Sequence, residues 1–467
     1  MLFSSVIFLF WFLPATMILY YIIPKRFIGL RNLILLAASL LFYSWGEPVY
    51  VALMIYSIIF NWFMAGQIHA EQERGGSGKW NLFLTVLVNL FILGFFKYFG
   101  FLMDTINQVT GAGIRYTALA LPIGISFYTF QAMSYIIDVY RGTVAPQKSL
   151  LRFAVYLSLF PQLIAGPIVK YRDVAEQLDR RKHSLEKFGE GGVRFILGLG
   201  KKVLLANNLG ALYASVTALD AGQVSVSAYW IGILAYTFQI YFDFSGYSDM
   251  AIGLGRMFGF EFIENFNYPY ISQTVTEFWR RWHMSLSSWF RDYVYIPLGG
   301  NRVSVPRHIL NLMIVWALTG LWHGASWNFV LWGAYYGVIL ILEKYVYGRL
   351  LEKIPGFFRH LYTMIVVIIS WVFFSITDFT AMAEYLRVLF GAGGAVFWNL
   401  KTLYFLRTGG GLLAASVLLS TPWLMKQYLA LSRKGWLLTS LLTMIILVVS
   451  VSYLIYGSYN PFLYFRF

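Results

Sequence analysis

Long stretches of mostly apolar residues, separated by short polar segments, recur along almost the whole chain. The first covers residues 3–23, and later ones lie at about residues 30–45, 50–66, 80–98, 117–140, 150–168, 190–206, 228–247, 308–322, 324–347, 360–377, 410–425 and 436–457. Many of them approach the ~20 apolar residues that an α-helix needs to cross ~30 Å of hydrocarbon. The pattern therefore predicts an all-α polytopic membrane protein.

Composition agrees, because 59% of the 467 residues are hydrophobic and only 12% are charged, whereas soluble proteins carry about 25% charged residues. The net charge of +15 comes from Lys and Arg in the loops, and short cytoplasmic loops accumulate these residues. The basic residues that follow the first span and those in residues 170–202 predict an external N-terminus and a cytoplasmic segment at residues 170–189. The sequence has no cysteine, which excludes disulfides, thiolate metal sites and a catalytic cysteine.

Two apolar segments contain residues that interrupt a helix. Residues 121–127 combine Pro122 with Gly124, and residues 161–169 contain two prolines on either side of a glycine. Irregular backbone at membrane depth is tolerated only where protein buries it or a watery cavity solvates it. These segments predict either re-entrant helices around an internal cavity or ordinary spans with a kink.

The segment YFDFSGYSDMAIGLGRMFGF, at residues 241–260, places ionisable side chains in an apolar frame. Such residues are costly inside a membrane and are usually functional. Asp249 and Arg256 stand two helical turns apart, so one continuous helix would carry both on one face without direct contact. Two interpretations remain open. Asp243 and its neighbours form a structural network that fixes a helix break at Gly246, or they line a substrate cavity.

A second polar cluster, TEFWRRWHMSLSSWFRDYVYIPLGGNR at residues 276–302, is richer in aromatic and basic residues. Thr276 is predicted to cap a single amphipathic helix that lies in the membrane interface. The polar face of this helix carries Glu277, Arg280 and Arg281, and its apolar face carries Phe278, Trp282 and Trp289. On it, His283 is either a hydrogen-bonded structural residue or a residue with a chemical role.

The segment NLMIVWALTGLWHGASWNFVLWG, at residues 311–333, would be an ordinary apolar hairpin without His323. A buried imidazole is costly unless it is hydrogen-bonded or used, and Gly320 and Gly324 leave room for a substrate or another backbone segment. A histidine here can act as a general base, a metal ligand or a proton relay. The sequence has no cysteine, no His-x-x-x-His pair and few carboxylates in its spans, so a general base is favoured and no metal site is predicted.

Several stretches together resemble one known family. They are LPIGISFYTFQAMSYIIDVYRG, FPQLIAGPIVKYRDV, FDFSGYSDMAIGLGRMFGF, ENFNYPYIS, EFWRRWHMSLSSWFRDYVYIPLGGNR and GLWHGASWNFVLWG, preceded by MLFSSVIFLFWFLP. In this order they are similar to the membrane-bound O-acyltransferases (MBOAT), and within them to the AlgI type of bacterial alginate and exopolysaccharide O-acetyltransferases. The resemblance covers residues 1–345, and residues 346–467 resemble the family only as further spans. We expect one integral membrane domain over residues 1–467.

The resemblance implies a ring of about eleven or more transmembrane helices, with re-entrant and interfacial helices, around a central funnel. The signature histidine of the family maps onto His323 and its second histidine onto His283, so we predict these two as catalytic. Substrate or donor contacts are predicted for Trp279, Arg280, Arg281, Asp249, Trp322 and Asn328. Arg291 joins Arg280 and Arg281 as a candidate for binding donor phosphates, with contact to lipid headgroups as the alternative.

In this family the acyl donor is a cytosolic thioester, and the acceptor hydroxyl lies beyond the membrane. The resemblance implies acetyl transfer from acetyl-coenzyme A, without a permanently bound cofactor, to an extracytoplasmic polysaccharide or to an SGNH-type partner acetyltransferase. The expected location is the cytoplasmic membrane of a bacterium. Ser326 keeps an acyl-serine intermediate open beside direct transfer.

Two other functions remain as alternatives. One is D-alanyl transfer to teichoic acid from a carrier-protein thioester. The other is lipid or sugar transport, whose expected inverted repeats are not evident in the sequence.

Overall fold

The structure is a computed structural model that describes residues 1–117, 119–164, 166–457 and 463. These residues are mainly helical, and the β-structure among them is an isolated bridge between Ser225 and Val396. The all-α prediction is confirmed for this part of the chain.

The helices are named here in chain order. The first eight are α1 (Leu13–Ile22), α2 (Ile28–Ser44), α3 (Val51–Glu73), α4 (Lys79–Thr110), α5 (Ile125–Tyr140), α6 (Leu150–Ser158), α7 (Phe160–Leu163) and α8 (Tyr171–Asp179). The next seven are α9 (Leu185–Gly200), α10 (Asn207–Thr217), α11 (Val226–Met257), α12 (Val275–Arg281), α13 (Met284–Phe290), α14 (Val305–His323) and α15 (Trp327–Leu342). The last six are α16 (Gly348–Lys353), α17 (Gly356–Ser375), α18 (Phe379–Leu389), α19 (Leu400–Leu419), α20 (Pro422–Lys434) and α21 (Trp436–Tyr456).

Short turns of other helix types adjoin several of these helices. Wider π-helical turns occur at Phe8–Phe12, Lys201–Ala206, Arg291–Tyr295 and Glu343–Tyr347, and 3₁₀ turns occur at Ala221–Gln223 and Pro269–Ile271. The π-helical turns continue their neighbours, so α9 and α10 form one rod, and α15 and α16 form another.

Among the described residues, seven helices are long and apolar enough to cross a membrane. They are Val51–Glu73, Lys79–Thr110, Leu185–Thr217, Trp327–Lys353, Gly356–Ser375, Leu400–Leu419 and Trp436–Tyr456, and shorter apolar helices occur at Phe8–Ile22 and Ile28–Ser44. A chain with this many apolar helices passes through the membrane several times. The prediction of a polytopic membrane protein is therefore confirmed.

The chain forms two compact units. Unit 1 contains Met1–Phe195 and Ser248–Ile263, and unit 2 contains Ile196–Tyr247 and Glu264–Phe467.

In unit 1 the backbone is irregular at both segments that were predicted to interrupt a helix. Gly124 adopts a left-handed φ of +75° just before α5 begins, and a Cβ on it would lie 2.8 Å from the carbonyl oxygen of Leu163. Only glycine accommodates both the conformation and this approach. The helix α7 has only 4 residues, and residues 166–170 after it are not helical. The interruptions are confirmed, and their depth in the membrane stays a prediction.

Unit 1 also holds the start of α9 and the end of α11, which pack backbone to backbone. A Cβ on Gly191 of α9 would lie 2.6 Å from a backbone oxygen of α11. Near this contact, Asp249 pairs with Arg194 at 2.9 Å and Arg256 pairs with Glu190 at 3.2 Å. Both charged residues of α11 therefore bind α9, which places their charges in ion pairs between the two helices.

Basic residues of unit 1 converge on His183, in the loop between α8 and α9. The Nε2 atom of His183 lies 2.8 Å from the Tyr20 hydroxyl, and a guanidinium nitrogen of Arg31 lies 3.4 Å from the same ring nitrogen. Lys25 donates to the carbonyl oxygen of His183 at 3.3 Å, and Arg181 donates to the Tyr20 hydroxyl at 3.2 Å. The basic segments around Lys25 and Arg181, both predicted to be cytoplasmic, therefore meet on one side of unit 1.

This environment predicts that His183 weakens the fold in acid. Burial, helped by the charges of Arg31, Arg181 and Lys25, lowers the pKa of His183 from 6.5 to about 4. As pH falls from 6.5 to about 4, the unfolded chain takes up a proton here before the folded chain does, so the free energy of unfolding decreases. The His183→Gln variant still offers a donor to Tyr20 but does not titrate. We expect its Tm to fall less than that of the wild type between about pH 7 and pH 4.5 in detergent melts. An equal fall in both proteins would contradict this role.

In unit 2, the helix break predicted at Gly246 is wrong, because α11 runs unbroken from Val226 to Met257. Gly246 instead allows α9 to approach closely. A Cβ at this position would lie 2.8 Å from the carbonyl oxygen of Gly198. Helices in membranes use small residues where their backbones pack together, so this glycine serves packing between helices.

Asp243 lies on α11 one turn before Gly246 and forms a buried ion pair with Lys202. The Nζ and Oδ1 atoms are 2.6 Å apart, and both side chains are only 3% exposed. The Oδ2 atom accepts a hydrogen bond of 2.8 Å from the backbone N–H of Leu463. Of the two interpretations of Asp243, the contacts therefore favour the structural network.

Aromatic side chains build much of the core of unit 2. Its largest fully buried residues include Trp332, Trp371 and Tyr336, contributed by α15 and α17. Aromatic rings bury large areas and pack edge to face with defined geometry. This core therefore forms stiff, water-excluding walls around the C-terminal end of α14.

Candidate active site

His323 is the last residue of α14, and only 6% of it is exposed. Aromatic rings surround its imidazole, among them Trp322 and Trp332 with ring centres 5.0 Å away and Phe374 at 5.3 Å. The imidazole is thus packed among apolar aromatic side chains.

Two glycines of this region allow α14 and α15 to pack closely beside His323. A Cβ on Gly320 would lie 2.3 Å from the carbonyl oxygen of Phe329, and a Cβ on Gly324 would lie 2.2 Å from the ring of the same residue. The room that the sequence predicted beside His323 is therefore occupied by the neighbouring helix. The two helices pack so closely that the position of His323 is set by backbone contact rather than by a flexible loop.

His323 also faces a small cavity within unit 2. The cavity is lined by Ile240, Phe244, Trp282, His323, Trp332, Trp371 and Phe374, and it leaves about 10 Å³ for the centre of a water-sized sphere. That space is about enough for one water molecule. The cavity beside His323 is therefore far too small for a polymer strand.

His283 lies at a break in the second polar cluster, and the single helix predicted there is wrong. Helix α12 ends at Arg281, Trp282 is extended, and His283 adopts φ 44° and ψ 54° before α13 begins at Met284. A left-handed conformation is strained for a residue with a side chain and is typical of functional sites. The backbone therefore turns at His283, between α12 and α13.

The N-terminus of α12 also differs from the prediction. Thr274 rather than Thr276 caps this helix, by accepting a hydrogen bond from the backbone N–H of Glu277 at 3.0 Å. Thr276 instead donates its hydroxyl to the carboxylate of Glu343 at 2.5 Å, and that carboxylate also accepts from the Val275 N–H at 2.8 Å. Glu343 thereby anchors the helix that leads to His283.

Asn265 sets the tautomer of His283. The backbone N–H of Ser285 donates to Asn265 Oδ1 at 3.2 Å, which identifies that atom as the amide oxygen. His283 Nδ1 lies 3.1 Å from the same oxygen and therefore carries a hydrogen. In the neutral ring, the lone pair then belongs to Nε2. The arrangement makes Nε2 the basic nitrogen of His283.

The two histidines meet around Trp322. The centre of the Trp322 ring lies 5.0 Å from His323 and 5.8 Å from His283, and Phe244 packs against His283 at 4.6 Å. The structure therefore brings together three of the residues predicted for the site: His283, Trp322 and His323.

The other predicted aromatic and amide contacts have structural partners. Trp279 is buried against Trp316 at 4.7 Å and Tyr336 at 4.8 Å. The amide of Asn328 donates to the carbonyl oxygen of Phe373 at 3.1 Å and so ties α15 to α17. Both residues support the walls of the site.

The predicted arginines lie in different surroundings. Arg281 pairs with Glu277 at 2.9 Å, and Arg291 pairs with Asp292 at 2.8 Å. Arg280 is exposed, and within the described residues no ion pair involves it. Of the three, Arg280 is the one whose guanidinium is open to a phosphate.

Asp249 belongs to unit 1, whereas both histidines belong to unit 2. Its ion pair with Arg194 occupies at least one carboxylate oxygen. No cluster of three or more His, Cys, Asp or Glu side chains suited to a metal ion occurs within the described ranges.

Sequence reasoning missed Asn265 and Lys202. Asn265 stands in the motif ENFNYPYIS, but nothing in its sequence neighbourhood shows which of the two asparagines turns toward His283. Lys202 was counted only as a loop charge, although an ionisable residue beside an apolar stretch also predicts a buried partner. That partner is Asp243.

The Asn265–His283 contact yields a testable prediction. Asn265→Ala removes the oxygen that orients the ring, so we expect kcat to fall by about tenfold to a hundredfold with little change in KM, as small misplacements of reacting groups do. Asn265→Asp keeps an acceptor oxygen and should recover much of the loss. Steady-state kinetics of folded variants is the measurement.

The matched control is Asn267→Ala, since Asn267 is exposed and only its backbone contacts Arg281. Equal losses in both alanine variants, or no recovery in Asn265→Asp, would show that Asn265 does not orient the ring.

The chain matches known proteins over much of its length. Residues 145–383 match the model of the MBOAT, membrane-bound O-acyltransferase family, and this range contains both histidines.

Individual relatives extend the match. The chain is 44% identical to "Probable alginate O-acetylase AlgI" of Azotobacter vinelandii, over 86% of this chain and 80% of the relative. It is 34% identical to the peptidoglycan O-acetyltransferase of Helicobacter pylori, over 86% and 82% of the two chains. It is 32% identical to the teichoic acid D-alanyltransferase of Streptococcus thermophilus, over 47% and 56%.

The similarity to the Azotobacter protein covers more of the chain than residues 1–345, where the sequence motifs ended. With the family model matching more than half of the chain and the relatives matching most of it, family membership is established. The chain belongs to the membrane-bound O-acyltransferase family and is a multi-pass membrane O-acyltransferase.

Proposed function

We propose that the chain transfers an acetyl group from acetyl-coenzyme A in the cytosol to a hydroxyl group outside the cytoplasmic membrane of a bacterium. The acceptor is an extracytoplasmic polysaccharide or the serine of an SGNH-type partner acetyltransferase. The observation that carries this proposal is the buried His323 beside a small cavity, with the ring of Trp322 in contact with both His323 and His283.

His323 acts as the general base in this proposal. It takes the proton of the acceptor hydroxyl while that oxygen attacks the thioester carbonyl, and the C–S bond of the resulting intermediate then breaks. Coenzyme A leaves as a thiolate, whose pKa of roughly 8.5 makes it a good leaving group. The proton passes from His323 to the thiolate or to solvent, so the histidine is restored. A base of this kind contributes about 10²–10⁴-fold in rate.

The remaining predicted residues have separate parts in this proposal. Nε2 of His283 accepts a hydrogen bond near the reacting centre, and Trp322 excludes water between the two histidines. Arg280 contacts a donor phosphate from its exposed position on α12. Trp279 and Asn328 act indirectly, by holding α12, α15 and α17 in place.

The size of the cavity favours movement of the acyl group toward the acceptor. A polymer strand does not fit the small cavity beside His323, whereas an acetyl group has only a few heavy atoms. Direct transfer is favoured over an ester on Ser326, because His323 lines the small cavity and Ser326 does not.

D-alanyl transfer from a carrier-protein thioester remains the second candidate, because the chain is similar to a teichoic acid D-alanyltransferase over 47% of its length. The O-acetyl-transferring relatives match 86% of the chain at higher identity. That difference in extent supports acetyl as the transferred group.

Purified protein in sealed vesicles of known orientation tests the proposal. Radiolabelled acetyl-coenzyme A is added at the predicted cytoplasmic face, de-O-acetylated alginate fragments are enclosed on the other side, and free thiol is measured beside labelled polymer. We expect thiol release that depends on His323 and label on the enclosed polymer.

Product formed only when donor and acceptor share one side, or stoichiometric label on the chain itself, would overturn cross-membrane direct transfer. Thiol release from a D-alanyl carrier thioester but not from acetyl-coenzyme A would favour the second candidate.

A further inference from the structure

Unit 2 contains a much larger cavity away from the two histidines. It has a volume of about 620 Å³ and lies among α11, the turn Pro269–Ile271, α17 and α19. This volume is within the range of about 300–1,000 Å³ that is typical of small-molecule sites. The lining is mostly apolar, and its deeper part includes Phe238, Met364, Ile368 and Leu413. None of the residues assigned a part in the proposed acyl transfer lines this cavity.

The polar residues of the lining are confined to one end. His360 lies in the first turns of α17, Gln273 lies against Gly356 at the start of the same helix, and Ser420 and Thr421 follow the C-terminal end of α19. From there the apolar lining continues along α17 to Ile368, about 12 Å from His360 at 1.5 Å per residue. The cavity therefore has a polar mouth and an apolar stem.

The mouth offers specific hydrogen-bonding groups. His360 Nδ1 lies 3.0 Å from the carbonyl oxygen of Ser272, and because a carbonyl only accepts, Nδ1 carries the hydrogen. In the neutral ring, Nε2 is then an acceptor, and it has no hydrogen-bond partner among the described residues. The side-chain amide of Gln273 likewise makes no hydrogen bond within the described part of the chain, although its N–H groups are donors.

The stem is lined by helices of membrane-spanning length. Both α17 and α19 are long and apolar enough to cross a membrane, and their exposed faces carry Leu361, Ile365 and Leu418. An empty apolar cavity of this size would leave its lining without dispersion contacts, and water gains few hydrogen bonds there. A hydrocarbon chain that enters from the bilayer supplies these dispersion contacts to the apolar lining.

We propose that this cavity binds one acyl chain of a membrane glycerophospholipid, with the headgroup at Gln273 and His360. The ester or phosphate oxygens accept from the Gln273 amide, and a headgroup hydroxyl or ammonium donates to His360 Nε2. Since α17 also carries Trp371 and Phe374, which line the small cavity beside His323, the bound lipid supports the wall of the active site.

A photo-crosslinking experiment on the full-length protein tests this proposal. The probe is phosphatidylglycerol with a diazirine near the end of one acyl chain, reconstituted in vesicles with unlabelled lipid. We expect crosslinks at Met364 and Leu413 in the wild type. Ala414→Trp, which fills the stem, should lower them by about tenfold or more, since an overpacked cavity no longer admits a chain. His360→Ala and Gln273→Ala should lower them by a smaller factor.

The matched control is Leu418→Trp, which adds a ring to an exposed position of α19 that does not line the cavity. It should crosslink like the wild type. Met364→Trp is a second filling variant in case Ala414→Trp does not fold, with crosslinks at Leu413 as its readout. Crosslinking that is undiminished in the filled variants, or spread evenly over all exposed helices, would show only annular lipid and overturn the proposal.

Discussion

The His323→Ala variant is expected to fold normally and to lose at least about 10²-fold of acyl-transfer activity, because a general base contributes about 10²–10⁴-fold. The substitution removes the imidazole that lines the small cavity while leaving the glycine contacts between α14 and α15 intact. The measurement is thiol release from acetyl-coenzyme A by purified protein, with the Tm recorded in parallel.

Two further variants make this result specific. His323→Gln should be as inactive as His323→Ala, since an amide retains hydrogen bonding but accepts no proton at neutral pH. The matched control His69→Gln changes an exposed histidine whose side chain contacts Glu73, and it should keep wild-type activity. A folded His323→Ala protein with more than about a tenth of wild-type activity would rule out the general-base role.

Loss of one charge from the Lys202–Asp243 pair is expected to have the largest effect on stability. The two side chains are 2.6 Å apart and almost fully buried, so Lys202→Met leaves a carboxylate without its cation, and Asp243→Asn leaves an ammonium without its anion. Breaking a buried pair from one side costs about 3–5 kcal/mol, because the remaining charge stays desolvated. We therefore expect a large fall in Tm for each single variant.

The double variant Lys202→Met with Asp243→Asn removes both charges, and the amide introduced at position 243 still offers an oxygen to the Leu463 N–H. It should be more stable than either single variant, as expected when a buried pair is replaced together. The control is Arg256→Gln, which breaks an exposed pair worth about 0–1 kcal/mol. Additive losses in the double variant, or single-variant losses no larger than that of Arg256→Gln, would show that the pair contributes little.

The sequence alone was sufficient to identify the class of protein and the candidate histidines. Apolar runs of membrane length and the scarcity of charge are properties of composition, and no tertiary contact is needed to recognise them. His323 was visible for the same reason, since a polar side chain in an apolar stretch is costly wherever the chain folds. The interrupted backbone near Gly124 was predictable because proline and glycine change the backbone conformation at their own positions, without any contact from another segment.

Features that depend on contact with another part of the chain were visible only in the tertiary structure. Gly246 was expected to break a helix, yet α11 is continuous there because the glycine provides contact with α9. The break lies instead at His283, where Asn265 from a distant segment holds the ring and Glu343 holds the start of α12.

The physical reason is the same in these cases. The cost of burying a polar group can be read from its own sequence neighbourhood, and it marked His323 and Asp243 as residues that need a partner. The partner that meets such a cost stands in another segment of the chain, as Lys202 does for Asp243 and Asn265 does for His283, and its identity depends on which backbones pack together. The sequence thus determined which side chains require an explanation, and the tertiary structure determined which contacts provide it.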